Sequence, residues 1–270
     1  DLLDVEAIQR QLPVLDPIFN VQLHMSLPST NQTLMQRQQQ RSVHAEVVLA
    51  EVQTSGRGRL GRQWQSPFGQ NIALSLGWNF AGGAVALEGL SLVVGVALAQ
   101  ALADLGVHQI QLKWPNDVLV GGKKLAGILL EMRGDATGPC HVVIGIGLNV
   151  HLTHDDAIDQ PWVSLTQLGY RLSRNDIVAQ ILLRLNRHLH QFVRYGFSAL
   201  RDEWQQYHYY QDQPVQLLLA GKSVEGVCRG VDLVGALLVE HDGVVKTYSG
   251  GEISLRPIAV QSGVQVGERS

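Results

Sequence analysis

The sequence predicts an α+β protein, with a mixed or antiparallel sheet and helices in a main domain and a small β-barrel after it. Three observations predict this. Strand and helix patterns come in blocks, without the regular βαβ alternation of a parallel doubly wound sheet. Residues 87–105 are apolar almost throughout and of helical length, so they read as a buried helix. After a composition shift at residues 207–213, five short strand patterns follow one another with glycine turns between them.

Taken in order, residues 5–12 have helical spacing and stop before Pro13. Residues 21–25 form a short strand pattern. Ser29 followed three residues later by Gln32 is a capping box, opening a polar helix through about residue 40. Residues 46–52 are a valine-rich strand. It runs into segment 53–62, whose glycines exclude a helix interior or a flat strand. Residues 71–78 alternate as a strand. Residues 110–114 and 118–120 are strands around the turn Pro115-Asn116-Asp117, and Gly121-Gly122 is a two-residue hairpin signal. Residues 124–132 and 142–150 complete the sheet. Residues 163–206 read as helical, in three segments broken near Gly169 and Gly196. The barrel strands are 215–219, 223–231, 236–240, 244–248 and 253–255. The expected division is a main domain over 1–208, the barrel over 209–260 and a flexible tail over 261–270.

Composition narrows the function. The 270 residues are 45% hydrophobic and 17% charged, an ordinary globular balance. The net charge of -3 argues against a large sequence-independent nucleic-acid surface. Cys140 and Cys228 are isolated, which suits a reducing compartment and argues against a disulfide framework or zinc site. The ten histidines have no HxH or HExxH spacing, so no catalytic metal site is expected, and no GxSxG elbow is present. The longest uncharged apolar stretch, 89–103, is short for a membrane span and carries Gly89, Gly95 and Gln100. The start, Asp1-Leu2-Leu3-Asp4, lacks the basic region of a secretory signal, so the expected location is the cytoplasm.

The sharpest feature is the loop Gly56-Arg57-Gly58-Arg59-Leu60-Gly61-Arg62. Glycine lets backbone N–H groups approach an anion, and arginine supplies a planar fork of donors that fits phosphate. On these residues alone, phosphate binding, a solvated basic loop and an RNA contact all stay open. The loop lacks the G-K-[ST] ending of a Walker A motif. Lys113-Trp114-Pro115-Asn116-Asp117 sets a lysine and an aspartate around a rigid turn, close to Lys124 at a strand start. Gly145-Ile146-Gly147-Leu148-Asn149 puts two glycines within a strand, for packing or for close approach of a ligand.

Together with Ser29-Thr30-Asn31, Lys124-Leu125-Ala126-Gly127-Ile128 and the run Gly250 to Arg256, these motifs stand in the order seen in bacterial biotin–protein ligases. The resemblance covers nearly the whole chain. It implies a class II synthetase-like catalytic domain and a small SH3-like barrel. It implies an enzyme that makes biotinoyl-AMP from biotin and ATP, with magnesium accompanying the nucleotide. The biotin then passes to a lysine of the biotin carboxyl carrier protein of acetyl-CoA carboxylase. The biotin positions fall on Ser29, Thr30, Asn31, Gln53, Gly56, Arg57, Gly58, Arg59 and Lys124, with Trp64 as an aromatic wall. The nucleotide positions are Arg59, Arg62, Lys113, Asn116, Asn149 and Trp162. Arg57 and Lys124 are the expected catalytic groups, and Asp117 orients Lys124 or takes up the carrier lysine's proton. Many relatives carry an N-terminal winged helix-turn-helix. This chain starts where the catalytic domain starts, either as a monofunctional ligase or with the DNA-binding part removed, so repression and nucleic-acid binding are not expected of this stretch. A homodimer is a further expectation of the resemblance.

Overall fold

The computed structural model describes residues 2–83, 87–134, 138–219, 222–249 and 253–257. The expected flexible tail, 261–270, and Gly250-Gly251-Glu252 lie outside the described residues. The helices are α1 (Val5–Gln11), α2 (Thr30–Arg37), α3 (Leu90–Asp104), α4 (Arg174–Tyr195) and α5 (Arg201–Tyr207). The strands of the first sheet are β1 (Asn20–Leu27), β2 (Glu46–Gln53), β3 (Asn71–Phe80), β4 (Ile110–Lys113), β5 (Asp117–Val120), β6 (Lys123–Gly134) and β7 (Cys140–Asn149). Those of the second are β8 (Pro214–Leu219), β9 (Lys222–Val231), β10 (Leu237–His241), β11 (Val244–Tyr248) and β12 (Ile253–Pro257).

The first sheet has the order β1-β2-β3-β7-β6-β5-β4. Only β1 and β2 among these neighbours run parallel, so the sheet is mixed. The second sheet, β11-β10-β9-β8-β12, is antiparallel throughout. The α+β class read from the sequence therefore holds.

α3 is apolar on every side, with eleven buried residues between Leu90 and Leu102. It is sandwiched between the sheet and α4, which is why it needs no polar face. α4 is amphipathic instead. Ile177, Ile181, Leu185, Leu189 and Phe192 turn inward at helical spacing, and the Ser173 hydroxyl caps its start. At the other sheet face, α2 begins at Ser29, whose Oγ accepts from the Gln32 N–H at 3.4 Å.

One expectation is corrected. Residues 163–206 contain two α-helices, α4 and α5, parted at Gly196, and residues 163–172 are not a third. Ser164 and Gln167 do form a reciprocal capping pair: Ser164 N–H donates to Gln167 Oε1 at 3.0 Å and Gln167 N–H to Ser164 Oγ at 3.2 Å. The turn they open stops at once, because Gly169 takes a left-handed φ of 88° and Tyr170 N–H folds back to the Leu165 carbonyl. The helix restarts only at Ser173.

Candidate functional site

The first turn of α2, the end of β2, the glycine–arginine loop and the middle of β6 and β7 surround a cleft. It has three chemically distinct zones.

The first zone is hydrogen-bonding, and the groups it turns to the cleft at Ser29, Thr30, Asn31 and Gln53 are uncharged. Ser29, Thr30 and Asn31 are buried at the start of α2. Gln53, the last residue of β2, accepts the Thr30 N–H at 2.9 Å through Oε1. Ser75 on β3 is wholly buried behind them, 2.7 Å from Thr30 Oγ1 and 2.5 Å from Asn31 Oδ1. Asn31 Nδ2 donates to the Leu129 carbonyl at 3.2 Å and to Glu131 Oε2 at 2.8 Å.

The second zone is apolar. Leu74, Ile128, Ile146 and the Trp64 indole line it. Gly145 and Gly147, two apart on β7, face the same way. A Cβ at Gly145 would collide with the Asn31 amide, and one at Gly147 with the Trp64 ring. Glycine at both positions is thus what lets these two side chains lie flat on the sheet. The Trp64 Nε1–H is buried without a protein acceptor.

The third zone is cationic. Lys124 Nζ stands 2.7 Å from Asp117 Oδ1 and 5.6 Å from the centroid of the Trp64 ring. Arg59 Nη1 donates to Asn116 Oδ1 at 3.0 Å, and Asn116 Nδ2 in turn donates to the Ile128 carbonyl at 2.9 Å. Arg57 lies apart from these, pairing through Nη2 with Glu131 Oε2 at 2.9 Å on the side of Asn31. Lys113 sits opposite Asp117 in the β4–β5 ladder. Burial lowers the Lys113 pKa; Asp117 opposes that, while Lys124, Arg256 and Arg62 add to it. Burial likewise lowers the Arg59 pKa, against Asp117 and with Arg62. One carboxylate is therefore shared by Lys124, Lys113 and Arg59. The clustered positive charge is suited to an anion.

Arg62 is exposed and contributes charge from the rim. Gly56 and Gly58 act through the backbone: the Gly56 carbonyl accepts from Trp64 N–H at 2.9 Å, and Gly58 N–H donates to the Arg62 carbonyl at 2.7 Å. Trp162 reaches the site by a backbone bridge. Lys124 N–H donates to the Pro161 carbonyl at 3.0 Å and the Lys124 carbonyl accepts from Val163 N–H at 2.9 Å. Asn149 pins the same segment, its Nδ2 donating to the Val163 carbonyl at 3.3 Å.

Sequence reading gave no site role to Ser75, Glu131 or Arg256. Ser75 is a lone hydroxyl in an otherwise buried strand and Glu131 a lone carboxylate after an apolar run, which are the signals that could have found them. Arg256 had only its place in the C-terminal motif. Among the described residues no group of three or more His, Cys, Asp or Glu side chains stands together as a metal site. Nor is any helix of the described residues long and apolar enough to cross a membrane.

Comparison with known proteins places the chain in a family. Residues 23–149 match the Biotin/lipoate A/B protein ligase family, and residues 212–256 match the Biotin protein ligase C terminal domain. The chain is 41% identical over 258 residues to the bifunctional ligase/repressor BirA of Salmonella typhimurium, covering 94% of this chain and 79% of that protein. It is 34% identical over 232 residues to the biotin–[acetyl-CoA-carboxylase] ligase of Mycobacterium tuberculosis, covering 83% and 85%. It also resembles the solved biotin protein ligase of Aquifex aeolicus in complex with biotin and ATP, with a TM-score of 0.78, 28% identity, and 88% and 99% of the two chains covered. Fold, motif order and relatives agree: the chain is a ligase and belongs to the biotin–protein ligase family.

Proposed function

We propose that the cleft binds biotin and ATP side by side, forms biotinoyl-AMP, and passes the biotin to a lysine of the biotin carboxyl carrier protein of acetyl-CoA carboxylase. The observation that carries this reading is the polarity of the cleft. A hydrogen-bonding end at Ser29, Thr30, Asn31 and Gln53 is separated by an apolar wall from the cations Lys124, Lys113 and Arg59, while Arg57 is paired with Glu131 beside Asn31. Biotin has the same order: a neutral ureido group, an apolar ring and chain, and a carboxylate.

In this reading the ureido group meets Ser29, Thr30, Asn31 and Gln53, since leaving its polar atoms unpaired would cost about 1–3 kcal/mol each. Trp64 covers the ring. The carboxylate points to Lys124, and the nucleotide phosphates to Arg59, Arg62 and Lys113. Asn116 holds Arg59, and Asn149 holds the segment of Trp162, which faces the adenine. A biotin carboxylate oxygen attacks the α-phosphorus and pyrophosphate leaves. Both reactants are anions, so the chief task of Arg57, Arg59 and Lys124 is to offset their repulsion and the charge of the transition state. The carrier's lysine amine then attacks the acyl carbon, AMP leaves, and the amine's proton passes to Asp117 or to water. The side chains of the cleft do not themselves build a magnesium site, so the ion would travel with the nucleotide, and no step here is assigned to it. Residues 1–208 would form the catalytic domain and 209–260 the SH3-like domain. The homodimer and the cytoplasmic location stay parts of the same proposal.

The test is mass spectrometry of a purified carrier domain after incubation with the protein, biotin and MgATP. The expected result is a shift of one biotin, slowed at least about 100-fold in Arg57→Ala and Lys124→Ala. No shift with a competent carrier would overturn the reading.

A further inference from the structure

Counting hydrogens around the neutral end of the cleft fixes a direction. The Asn31 amide has two N–H hydrogens. One goes to the Leu129 carbonyl at 3.2 Å and the other to Glu131 Oε2 at 2.8 Å. Both partners are pure acceptors, so the amide cannot turn over without facing oxygen to oxygen. Asn31 Oδ1 is thereby held toward Ser75, 2.5 Å away. It can only accept, so Ser75 donates its single hydrogen to it. Ser75 then has none left for Thr30 Oγ1, 2.7 Å away, and that contact must use the hydrogen of Thr30. Gln53 Oε1 accepts the Thr30 backbone N–H at 2.9 Å and is the only other acceptor for the Thr30 hydroxyl among the described residues, at a longer 3.1 Å; whichever of the two takes it, the hydrogen is committed away from the cleft. The hydroxyl of Thr30, which lines the cleft, is left with a lone pair and no hydrogen to give.

We propose that Ser75 and Glu131 are positioning residues of a one-way hydrogen-bond relay, Thr30 to Ser75 to Asn31 to Glu131, that makes Thr30 Oγ1 an obligate acceptor and so selects a ligand N–H at that point. The inference rests on the reading of the cleft as the biotin site. The group selected is then a ureido N–H, and an isostere carrying an ether oxygen there meets lone pair against lone pair. Glu131 also anchors Arg57 at 2.9 Å, which ties the glycine–arginine loop to the same acceptor-only end. Ser75 has no such second task. It is buried and has no place of its own on the cleft wall.

The experiment compares biotin with the two cyclic carbamate analogues in which one or the other ureido N–H is replaced by oxygen. Binding is read by isothermal titration on the full chain. The native protein is expected to disfavour one carbamate by at least about tenfold, as a lost and reversed hydrogen bond requires. Ser75→Ala leaves the Thr30 hydrogen the longer, weaker contact to Gln53 Oε1 at 3.1 Å, from which it can turn to a ligand acceptor, so that preference should shrink severalfold. Glu131→Ala should shrink it less, because the Leu129 carbonyl still holds Asn31. A purely structural role for Ser75 would weaken all three ligands alike and leave the ratio standing, which overturns the relay. An unchanged ratio in Ser75→Ala and Glu131→Ala alike has the same meaning. Thr30→Val separates the two levels: if it leaves biotin affinity unaltered, the reading of this cleft as the biotin site fails. If it weakens biotin while Ser75→Ala keeps the ratio, only the relay fails.

Discussion

Removing either partner of the Lys124–Asp117 pair should have unequal effects on stability. The two side chains are each 15% exposed and meet at 2.7 Å. Asp117 also faces Lys113 across β4–β5 and acts on Arg59. In Asp117→Asn three cations lose their common counter-charge, and breaking a buried pair in this sense costs about 3–5 kcal/mol. In Lys124→Met the remaining carboxylate still has Lys113 and Arg59 as neighbours, so the cost should be nearer about 1–2 kcal/mol. Urea unfolding at low ionic strength, followed by tryptophan fluorescence, measures both. ATP should recover more stability in Asp117→Asn than in Lys124→Met, because its phosphates replace the missing negative charge. Pyrophosphate release, in contrast, should fall about 100-fold or more in Lys124→Met despite its smaller stability loss. Equal costs, or a larger cost for Lys124→Met, would refute the idea that Asp117 is a shared counter-ion.

Other outcomes follow from the same geometry. Gly147→Ala drives a methyl into the Trp64 indole, so the KM for biotin should rise at least about tenfold with a stability loss of about 1–3 kcal/mol, read by kinetics and thermal melting. Burial holds the His208 pKa at about 4, below its ordinary value of 6.5. The unfolded chain takes up this proton first on acidification, so stability should fall as pH drops from 6.5 toward 4, by up to about 3 kcal/mol, and His208→Gln should flatten that slope in urea titrations. Burial pushes the Cys228 thiol up to about 11. Its alkylation at pH 8 should therefore be at least about 100-fold slower in the native protein than in urea, as peptide mapping would detect.

The parts of the fold legible in the sequence are those set by local periodicity. The capping pair at Ser29, the apolar α3 and the hairpin at Gly121-Gly122 each follow from a few neighbouring residues. Residues 163–172 misled the reading because Val163, Leu165 and Leu168 have helical spacing. The break expected near Gly169 is there, but the segment before it is a single capped turn and not a helix. At the site, motif order identified the loop and the Lys113–Asp117 turn. It could not find Ser75, whose hydrogen bonds join residues 44 and 45 positions away, nor Glu131, whose partners Asn31 and Arg57 lie 100 and 74 positions back. Such residues are chosen by what the folded sheet brings to them, and their own neighbours carry no trace of it.

The C-terminal sheet gains a purpose from how the cationic zone is mounted. β4 is an outer strand of only four residues, and a strand so short frays unless something holds it. The linker after α5 does so: Tyr209 N–H donates to the Leu112 carbonyl at 2.9 Å, and His208 bridges Leu112 as a parallel neighbour. The turn that follows β4 is clamped from both sides. The Trp114 indole N–H donates to the Gly235 carbonyl between β9 and β10 at 3.1 Å, and Ser91 Oγ on α3 donates to the Pro115 carbonyl at 2.9 Å. Arg256 of β12 then adds its charge beside Lys113. Lys113 and Asp117 bracket this turn and pair across β4–β5, so the docked second sheet adds a clamp to a separation that the hairpin already sets. The positive field of the site thus draws on the second sheet through Arg256, although none of the described residues that line the cleft comes from that sheet.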